Sequence, residues 1–413
     1  LHDPGIGLTD RERGQFLLCN YVGNGGVEAF GLKPSGAGFE IVDYHDVLKP
    51  LFATDAEFGY DGKLYVSDFV KLEWDGPGGR GRVYTVFDPS RVRSPEIQQT
   101  ARLVREGFRH RGQDELLALL AHSDRRVRQR AQFALAAQSP PPIERLQRLA
   151  LARGPAALLP RWHAVWCLAQ IARSPSGRGA VAPLTELVAA SEPEREIRVA
   201  AIRVLGELGH QAAAPAITQS LADPSPRIRL YAALALAKLR HRPATDAIIA
   251  MIRQNADADP FLRHAGVMAL TAVVDSNLID RLHGDPDRSV RLAAVLTLRR
   301  QRGPALARFL DDRDRFVAAE AARAIHDLPI ESLFGELAGR LGRWLGSRDS
   351  ASEPLLRRSL NANFRAGGRD DALRVLEALV SDKLATSMKR EALSCLLDWD
   401  SPGSRDRVTG AWH

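Results

Sequence analysis

The sequence predicts a mostly α-helical protein, in which an α-solenoid of about nine helical hairpins follows a small antiparallel β segment. Three observations support this fold class. A nine-residue phrase recurs along residues 127–396, an apolar segment precedes most of its copies, and residues 1–92 show short alternating runs separated by turns. A repeat spacing of 20–50 residues is typical of solenoids, propellers and other arrays.

The recurring phrase reads aliphatic, Arg, two variable residues, Ala, two variable residues, small, Leu. Its apolar positions fall at i, i+4, i+7 and i+8, which form one stripe of an α-helix. The arginine position, called the anchor below, recurs about every 33 residues on average. The nine anchors are Arg128, Arg161, Arg198, Arg229, Arg263, Arg291, Ala318, Arg357 and Lys389.

A second apolar helix is predicted before most copies of the phrase, for example at residues 247–252, 305–310 and 372–380. A polar turn, such as residues 223–226, separates the two helices of a pair. A single helical hairpin cannot bury its own apolar face, so neighbouring pairs must stack on one another. The sequence therefore predicts a linear stack of helical hairpins over residues 113–413.

The phrase resembles short HEAT repeats of the kind named after phycobilisome lyases, because Asp223 precedes a turn and Arg229 lies early in the following helix. The ankyrin T-P-L-H and tetratricopeptide W-x-x-L-G-x-x-Y signatures do not occur. We interpret the anchor arginines as a ladder of charge-assisted hydrogen bonds between turns and helices, with ligand binding as the alternative. The predicted ladder consists of Arg128, Arg198, Arg229, Arg263 and Arg291.

Residues 1–92 predict short antiparallel strands with turn signals between them, including Tyr60-Asp61-Gly62 and a glycine-rich loop at residues 75–81. This pattern is typical of propeller blades, and one or two blades cannot close a ring. We therefore predict a propeller fragment over residues 1–92 and a linker helix within residues 93–112. The predicted strands are residues 15–21, 26–32, 39–43, 54–59, 63–69 and 82–87.

The motif F-G-x-D-G-x-L-Y-V-S-D at residues 58–68, followed by G-R-G-R-V-Y at residues 79–84, resembles the last blade of glucose/sorbosone-dehydrogenase-like propellers. Together with the join over residues 98–135, the resemblance extends over nearly the whole chain to the planctomycete-type membrane-bound dehydrogenases. Tyr60, Phe69 and Thr85 depart from that family, which usually has proline, tryptophan and a basic residue at these positions.

The resemblance implies a parent protein that joins a dehydrogenase propeller to HEAT-like repeats and a c-type haem domain. The implied cofactors are pyrroloquinoline quinone, calcium and haem in the parent, and none in this chain. The other blades and the cytochrome c domain are the implied partners, and the implied location is the periplasm or cell envelope. Thr54 and Asp55 begin an inner strand by this resemblance and are the candidate channel-facing, cofactor-binding residues.

No catalytic or metal-binding residue set is predicted, because the general base of such a dehydrogenase would lie in earlier blades and no His/Cys cluster has zinc spacing. His45, next to Asp46, is interpreted as structural. Cys167 and Cys395 occupy the small-residue position of the phrase and are predicted to be buried. Trp162 and Trp166 are open to two interpretations, a binding patch or helix packing.

The formal net charge is +7, and it is unevenly distributed. Residues 1–92 carry 9 basic and 14 acidic residues, whereas residues 93–413 carry 48 and 36. Because the predicted solenoid is basic, nucleic-acid binding is an alternative function for it. Because the basic residues are spread through the repeats, solvated helix faces and the ladder explain them better.

No run of 18 apolar residues occurs, so no membrane-spanning segment is predicted. Both ends of the sequence are expected to be cuts in a longer protein. Two functions are left open: the non-catalytic end of a dehydrogenase-like multidomain protein, and an interaction scaffold whose parent is no longer an enzyme.

Overall fold

We describe the fold from a computed structural model, which covers residues 1–69, 81–154, 157–189, 191–345 and 352–412. These residues form six β-strands followed by 19 α-helices. The predicted fold class, a mostly helical HEAT-like solenoid preceded by small antiparallel sheets, is confirmed. The chain divides into two compact units, Leu1–Tyr231 and Ala232–His413.

The first unit begins with two antiparallel sheets of three strands each, with strand orders β1-β2-β3 and β4-β5-β6. Their apolar side chains, among them Leu17, Val27, Phe58 and Val66, pack in one core. All six strands coincide with predicted ones, whereas the predicted loop at residues 75–81 lies almost entirely outside the described residues. The strands are β1 (Phe16–Asn20), β2 (Gly26–Ser35), β3 (Gly38–Leu48), β4 (Ala53–Phe58), β5 (Leu64–Asp68) and β6 (Arg82–Val86).

The turn between β4 and β5 carries the predicted Tyr60-Asp61-Gly62 signal, and the Gly59 N–H donates to the Lys63 carbonyl at 2.8 Å. Gly62 has a φ of +77°, and a Cβ there would lie only 2.4 Å from the Ile97 side chain. Glycine is therefore required both by the backbone conformation and by the close approach of the following helix. That helix, α1 (Pro95–Glu106), is the predicted linker helix.

The remaining helices of the first unit form the start of the solenoid. Helix α9 begins here at Pro226 and ends at Leu239 in the second unit. The motif helices α3, α5 and α7 pack in succession, each against the next. Their bounds and those of their companions are α2 (Gln113–Leu119), α3 (Arg125–Ala136), α4 (Ile143–Leu151), α5 (Leu158–Ala172), α6 (Val181–Glu186), α7 (Arg195–Glu207) and α8 (Ala214–Gln219).

The second unit continues the same arrangement, and its motif helices α11, α13, α14, α17 and α19 pack in succession. Aspartates such as Asp259 and Asp287 cap these helices by accepting first-turn N–H groups. The bounds are α10 (Thr245–Asn255), α11 (Pro260–Val273), α12 (Ser276–His283), α13 (Arg288–Gln301), α14 (Arg315–Asp327), α15 (Phe334–Ala338), α16 (Leu341–Trp344), α17 (Ser352–Ala366), α18 (Arg369–Val380) and α19 (Thr386–Leu397).

Each of the nine anchors lies on its own helix, so the phrase marks the second helix of each pair. One companion segment differs from prediction: Pro304–Asp311 is a 3₁₀ helix, the tighter form that proteins use for short pieces. In the described residues, no helix is long and apolar enough to cross a membrane.

Candidate functional site

Several anchor arginines are buried and join one repeat to the following turn. Arg198 Nη1 donates to Asp223 at 2.6 Å, and Arg161 Nη2 donates to Glu192 at 2.6 Å. Arg291 forms a two-pronged pair with Asp312, with Nε and Nη2 at 2.8 and 3.1 Å from its two oxygens. Paired N–H donors on one carboxylate give both strength and a fixed geometry.

The carboxylates in these turns have a second role. Oδ1 of Asp223 accepts the Ser225 N–H at 2.8 Å, and Oδ1 of Asp312 accepts the Asp314 N–H at 2.8 Å. Arg291 Nη1 also donates to the carbonyls of Asp285 and Pro286, at 3.0 and 3.1 Å. One arginine therefore links the turn of its own repeat to the carboxylate that closes the next turn.

The other predicted ladder residues lie in different surroundings. Arg128 is buried and donates through Nη1 to the carbonyls of His122 and Ser123, at 2.6 and 2.7 Å. Arg263 is about one-third exposed and pairs with Asp257 of its own turn at 2.6 Å. Arg229 is half-buried. The structural role of the ladder stays a prediction, and Arg291 is the residue at which its energetic effect should be largest.

A hydrogen-bonded chain connects helices α3 and α5. Arg128 Nε donates to His163 Nε2 at 3.1 Å, and the ring Nδ1–H then donates to Gln132 Oε1 at 2.9 Å. Gln132 in turn donates to Gln170 at 3.0 Å. Burial, and secondarily the Arg128 charge, lowers the pKa of His163 to about 4. The imidazole is therefore neutral at pH 7, as an acceptor for Arg128 must be.

His163 is expected to make the protein less stable as the pH falls from 6.5 toward 4. Its folded-state pKa lies below the ordinary value of 6.5, so the unfolded chain binds the proton first and stability is lost in this window. After allowance for partial exposure, the loss is about 1–3 kcal/mol. Chemical denaturation at pH 7.0 and 4.5 should show a steeper decline for the wild type than for His163→Gln. Equal declines would show that His163 does not contribute.

The β segment is attached to the first repeat through the turn between β4 and β5. Arg126 donates to the carbonyls of Phe58 and Gly59, the latter at 3.2 Å, and its guanidinium lies 4.3 Å from the centre of the Tyr60 ring. Arg130 Nη2 donates to the Tyr60 hydroxyl at 2.9 Å. The buried Asp124 holds Arg126 in place through bonds of 2.7 to 3.2 Å.

The two residues proposed by resemblance to bind a cofactor are exposed on β4. Thr54 Oγ1 lies 2.8 Å from Ser67 Oγ, and Asp55 Oδ1 accepts the Ala56 N–H at 2.8 Å. Among the described residues, no group of three or more His, Cys, Asp or Glu side chains could hold a metal ion. The assignment of Thr54 and Asp55 as cofactor-binding residues stays a prediction.

The remaining candidates from the sequence are placed as follows. His45 lies on β3, where its Nδ1–H donates to the Asp43 carbonyl at 2.9 Å. Cys167 and Cys395 are fully buried, and burial raises the pKa of each thiol to about 12. Such thiols are packing groups at neutral pH, since the reactive form is the thiolate.

The first unit contains a cavity of about 440 Å³ between the β2–β3 hairpin and helices α5, α7 and α9. Its wall combines aromatic rings with guanidinium groups. The rings of Trp162 and Trp166 are half-buried and line this space, which leaves both interpretations of them open. The lining residues are Leu32, Pro34, Phe39, Trp162, Trp166, Arg195, Glu196, Val199, Ala200, Arg203, Arg227 and Tyr231.

The polar groups of this cavity, called the aromatic cavity below, are organised around Glu196. Arg227 Nε lies 2.9 Å from both Glu196 oxygens, and its guanidinium lies 4.6 Å from the Phe39 ring centre and 5.2 Å from that of Tyr231. Arg203 covers Trp166 at 5.7 Å. The lining holds three arginines and one glutamate, and the arginines are paired: Arg195 and Arg227 with Glu196, and Arg203 with Glu207 at 2.9 Å. Flat apolar surface beside this basic excess suits an apolar or aromatic side chain next to an acidic one.

Comparisons with known proteins support the repeat assignment. A family model described as HEAT repeats matches residues 181–271. None of the curated proteins matches the chain.

Solved structures of similar chains include the CpcE–CpcF complex of phycocyanin lyase from Nostoc, with 20% identity, coverage of 62% of this chain and 94% of that chain, and a TM-score of 0.30. Human deoxyhypusine hydroxylase matches with 16% identity, coverage of 62% and 95%, and a TM-score of 0.24. Importin beta matches with 13% identity, coverage of 74% and 52%, and a TM-score of 0.35. None of these three similarities assigns a function. Residues 181–271 therefore match HEAT repeats, and they lie within the HEAT-like solenoid.

Proposed function

We propose that this chain is the interaction scaffold of a dehydrogenase-like multidomain protein and has no catalytic activity of its own. The aromatic cavity is the observation that supports a binding role, because aromatic residues and arginine are enriched at the centres of protein interfaces. The junction around Arg126 supports the multidomain part of the proposal, since it fixes sheet β4–β6 on the first repeat as a fused blade would require.

The parent protein is proposed to supply the remaining propeller blades and a cytochrome c domain, in the periplasm or cell envelope. Pyrroloquinoline quinone, calcium and haem would be its cofactors. Thr54 and Asp55 bond locally on an exposed strand, and among the described residues no group of three or more His, Cys, Asp or Glu side chains could hold a metal ion. We therefore assign no cofactor chemistry to these residues.

Nucleic-acid binding is less well supported. A phosphate-binding stripe needs exposed guanidinium groups, but Arg198 and Arg291 are buried and directed at carboxylates. Part of the basic excess is therefore buried in ion pairs within the repeats and does not face a ligand.

The aromatic cavity is expected to select short peptides that carry an apolar or aromatic residue next to an acidic one. Peptides selected by phage display against the wild-type chain should lose at least about 30-fold in affinity when Trp166 is replaced by alanine, as for an aromatic hot spot. Isothermal titration calorimetry measures the loss. Arg203→Ala, which removes an exposed group beside Trp166, should weaken binding less.

Phe261→Ala is the matched control, because it removes an exposed aromatic side chain of the second unit and should leave affinity unchanged. Peptides that bind Trp166→Ala as tightly as the wild type would exclude the cavity as the binding surface. The same wild-type preparation, supplied with pyrroloquinoline quinone and calcium, should reduce no dye with sugars or alcohols. Turnover above a cofactor-only blank would contradict the non-catalytic part of the proposal.

A further inference from the structure

The hairpin of β2 and β3 reaches past its sheet and forms part of the wall of the aromatic cavity. Strand β1 pairs with β2 only at residues 26–30, so in the described sheet residues 31–42 pair only with each other. Phe39 pairs with Pro34 across this hairpin, and both residues line the cavity. The hairpin therefore brings an aromatic ring of the β segment against the solenoid.

This ring restricts the guanidinium group of Arg227. The guanidinium lies 4.6 Å from the ring centre of Phe39 and 5.2 Å from that of Tyr231, so a strand and a helix both contribute to its position. The Arg227 side chain is only 14% exposed. A planar guanidinium that stacks on aromatic rings loses little further freedom when it forms hydrogen bonds.

Glu196 occupies only one edge of this guanidinium. Arg227 Nε donates to both Glu196 oxygens at 2.9 Å, whereas Nη1 and Nη2 donate to no described residue. The Nη groups carry most of the N–H donors of an arginine. Neither of them is sealed from solvent, and Arg227 lines the cavity. Arg227 therefore presents unpaired donors to a ligand in the cavity.

The charges around Glu196 indicate the chemistry of that ligand. Arg195 Nε also pairs with Glu196, at 3.0 Å, so two guanidinium groups share one carboxylate and one positive charge is in excess. A single negative charge on the ligand would balance this excess. A carboxylate fits best, because its two oxygens accept two parallel N–H bonds from an arginine.

We propose that Arg227 binds a carboxylate of the partner through Nη1 and Nη2, and that Phe39 is its positioning residue. This assignment rests on the peptide-binding role proposed above, and it gives the acidic residue of the peptide a defined contact. The apolar or aromatic residue of the peptide then lies against the rings that line the cavity, among them Trp162 and Trp166.

A double-mutant cycle measured by isothermal titration calorimetry tests this proposal. The two ligands are a peptide selected by phage display and the same peptide with the amide analogue of its acidic residue, both with amidated C-termini. The wild type should bind the acidic peptide about 10- to 100-fold more tightly, as for a hydrogen bond between charged groups. In Arg227→Gln the two peptides should bind within about threefold of each other.

Arg288→Gln is the matched control and should keep the full acid preference. Arg288 also lies against a ring, that of Phe316 at 4.8 Å, and pairs with Asp314, but it belongs to the second unit. Phe39→Leu tests the positioning role: the acid preference should fall, whereas a ring that only forms cavity wall would change both affinities equally.

Circular dichroism checks that the variants fold. If Arg227→Gln does not, Arg227→Lys takes its place. The ammonium keeps the charge but cannot present two parallel N–H groups, so the acid preference should still fall at least about threefold.

Equal binding of both peptides by the wild type overturns the proposal, and the cavity keeps its binding role if that binding still depends on Trp166. An acid preference that survives Arg227→Gln overturns it as well. Phenylacetate represents a free aromatic acid and should bind at least about 100-fold more weakly than the acidic peptide, because it makes fewer contacts. Equal affinity for phenylacetate would contradict a peptide as the occupant.

Discussion

Replacing Arg291 by alanine is expected to lower the free energy of unfolding of the second unit by about 3–5 kcal/mol. Arg291 is 4% exposed, and the Asp312 side chain that it pairs with is 2% exposed. The substitution leaves a buried carboxylate without its counter-charge. It also removes one of two donors from the carbonyls of Asp285 and Pro286, which keep the hydrogen bonds from Arg313 Nη2 at 2.9 Å. Urea denaturation followed by circular dichroism measures the loss.

Arg263→Ala is the matched control. Its side chain is 35% exposed and makes an ion pair with Asp257, so the cost should stay within about 1 kcal/mol. Because a solenoid is stabilised mainly by contacts between neighbours, the amides of residues 285–314 should exchange faster in Arg291→Ala, and those of the β segment should not. Unchanged protection over residues 285–314 would contradict the ladder interpretation.

The solenoid was predictable because its signal repeats. A single copy of the phrase is a weak signal, and the copy at Arg357 is barely recognisable. Nine copies at similar spacing nevertheless predict a stack of helical hairpins. The strands were predictable for a different reason, since apolar alternation and turn residues are local signals. Strand β3 continues past its predicted end. The polar residues His45 and Asp46 suggested a connecting segment, but in the structure they pair with Ala29 and Glu28 of β2.

The sequence could not predict which repeat's arginine pairs with the aspartate of a given turn. The sequence places Asp223 near Arg229, but the structure pairs Asp223 with Arg198 of the preceding repeat. Which anchor reaches a given turn depends on how the hairpins stack, and stacking leaves no local pattern in the sequence. The same limit applies to the aromatic cavity: Trp166 was a visible candidate, whereas its position in one cavity wall with Phe39 of the hairpin depends on long-range packing.

Tyr60 connects the β segment to the first repeat. Its ring lies against the guanidinium of Arg126, and its hydroxyl accepts a hydrogen bond from Arg130. The identity of residue 60 and the attachment of the β segment to the first repeat are therefore linked in this chain.

Replacing Arg126 by alanine should loosen that attachment and cost about 2–4 kcal/mol. The fully buried carboxylate of Asp124 would keep its hydrogen bond from the backbone N–H of residue 126 but lose its counter-charge. The carbonyls of Phe58 and Gly59 would lose their donor, and the Tyr60 ring would lose its cation. Hydrogen exchange should accelerate at residues 58–62 and in the first turn of α3, and urea denaturation gives the size of the loss.

The neighbouring Arg130 provides the control for this experiment. Its side chain is exposed and donates to the Tyr60 hydroxyl, an uncharged acceptor, so Arg130→Ala should cost less than about 1 kcal/mol. The contrast between the two variants separates the buried charge pair from the ring contact that both arginines share. If residues 58–62 exchange at the wild-type rate in Arg126→Ala, other contacts hold the β segment on the first repeat, such as the hydrogen bond from the Arg125 N–H to the Pro4 carbonyl at 2.8 Å.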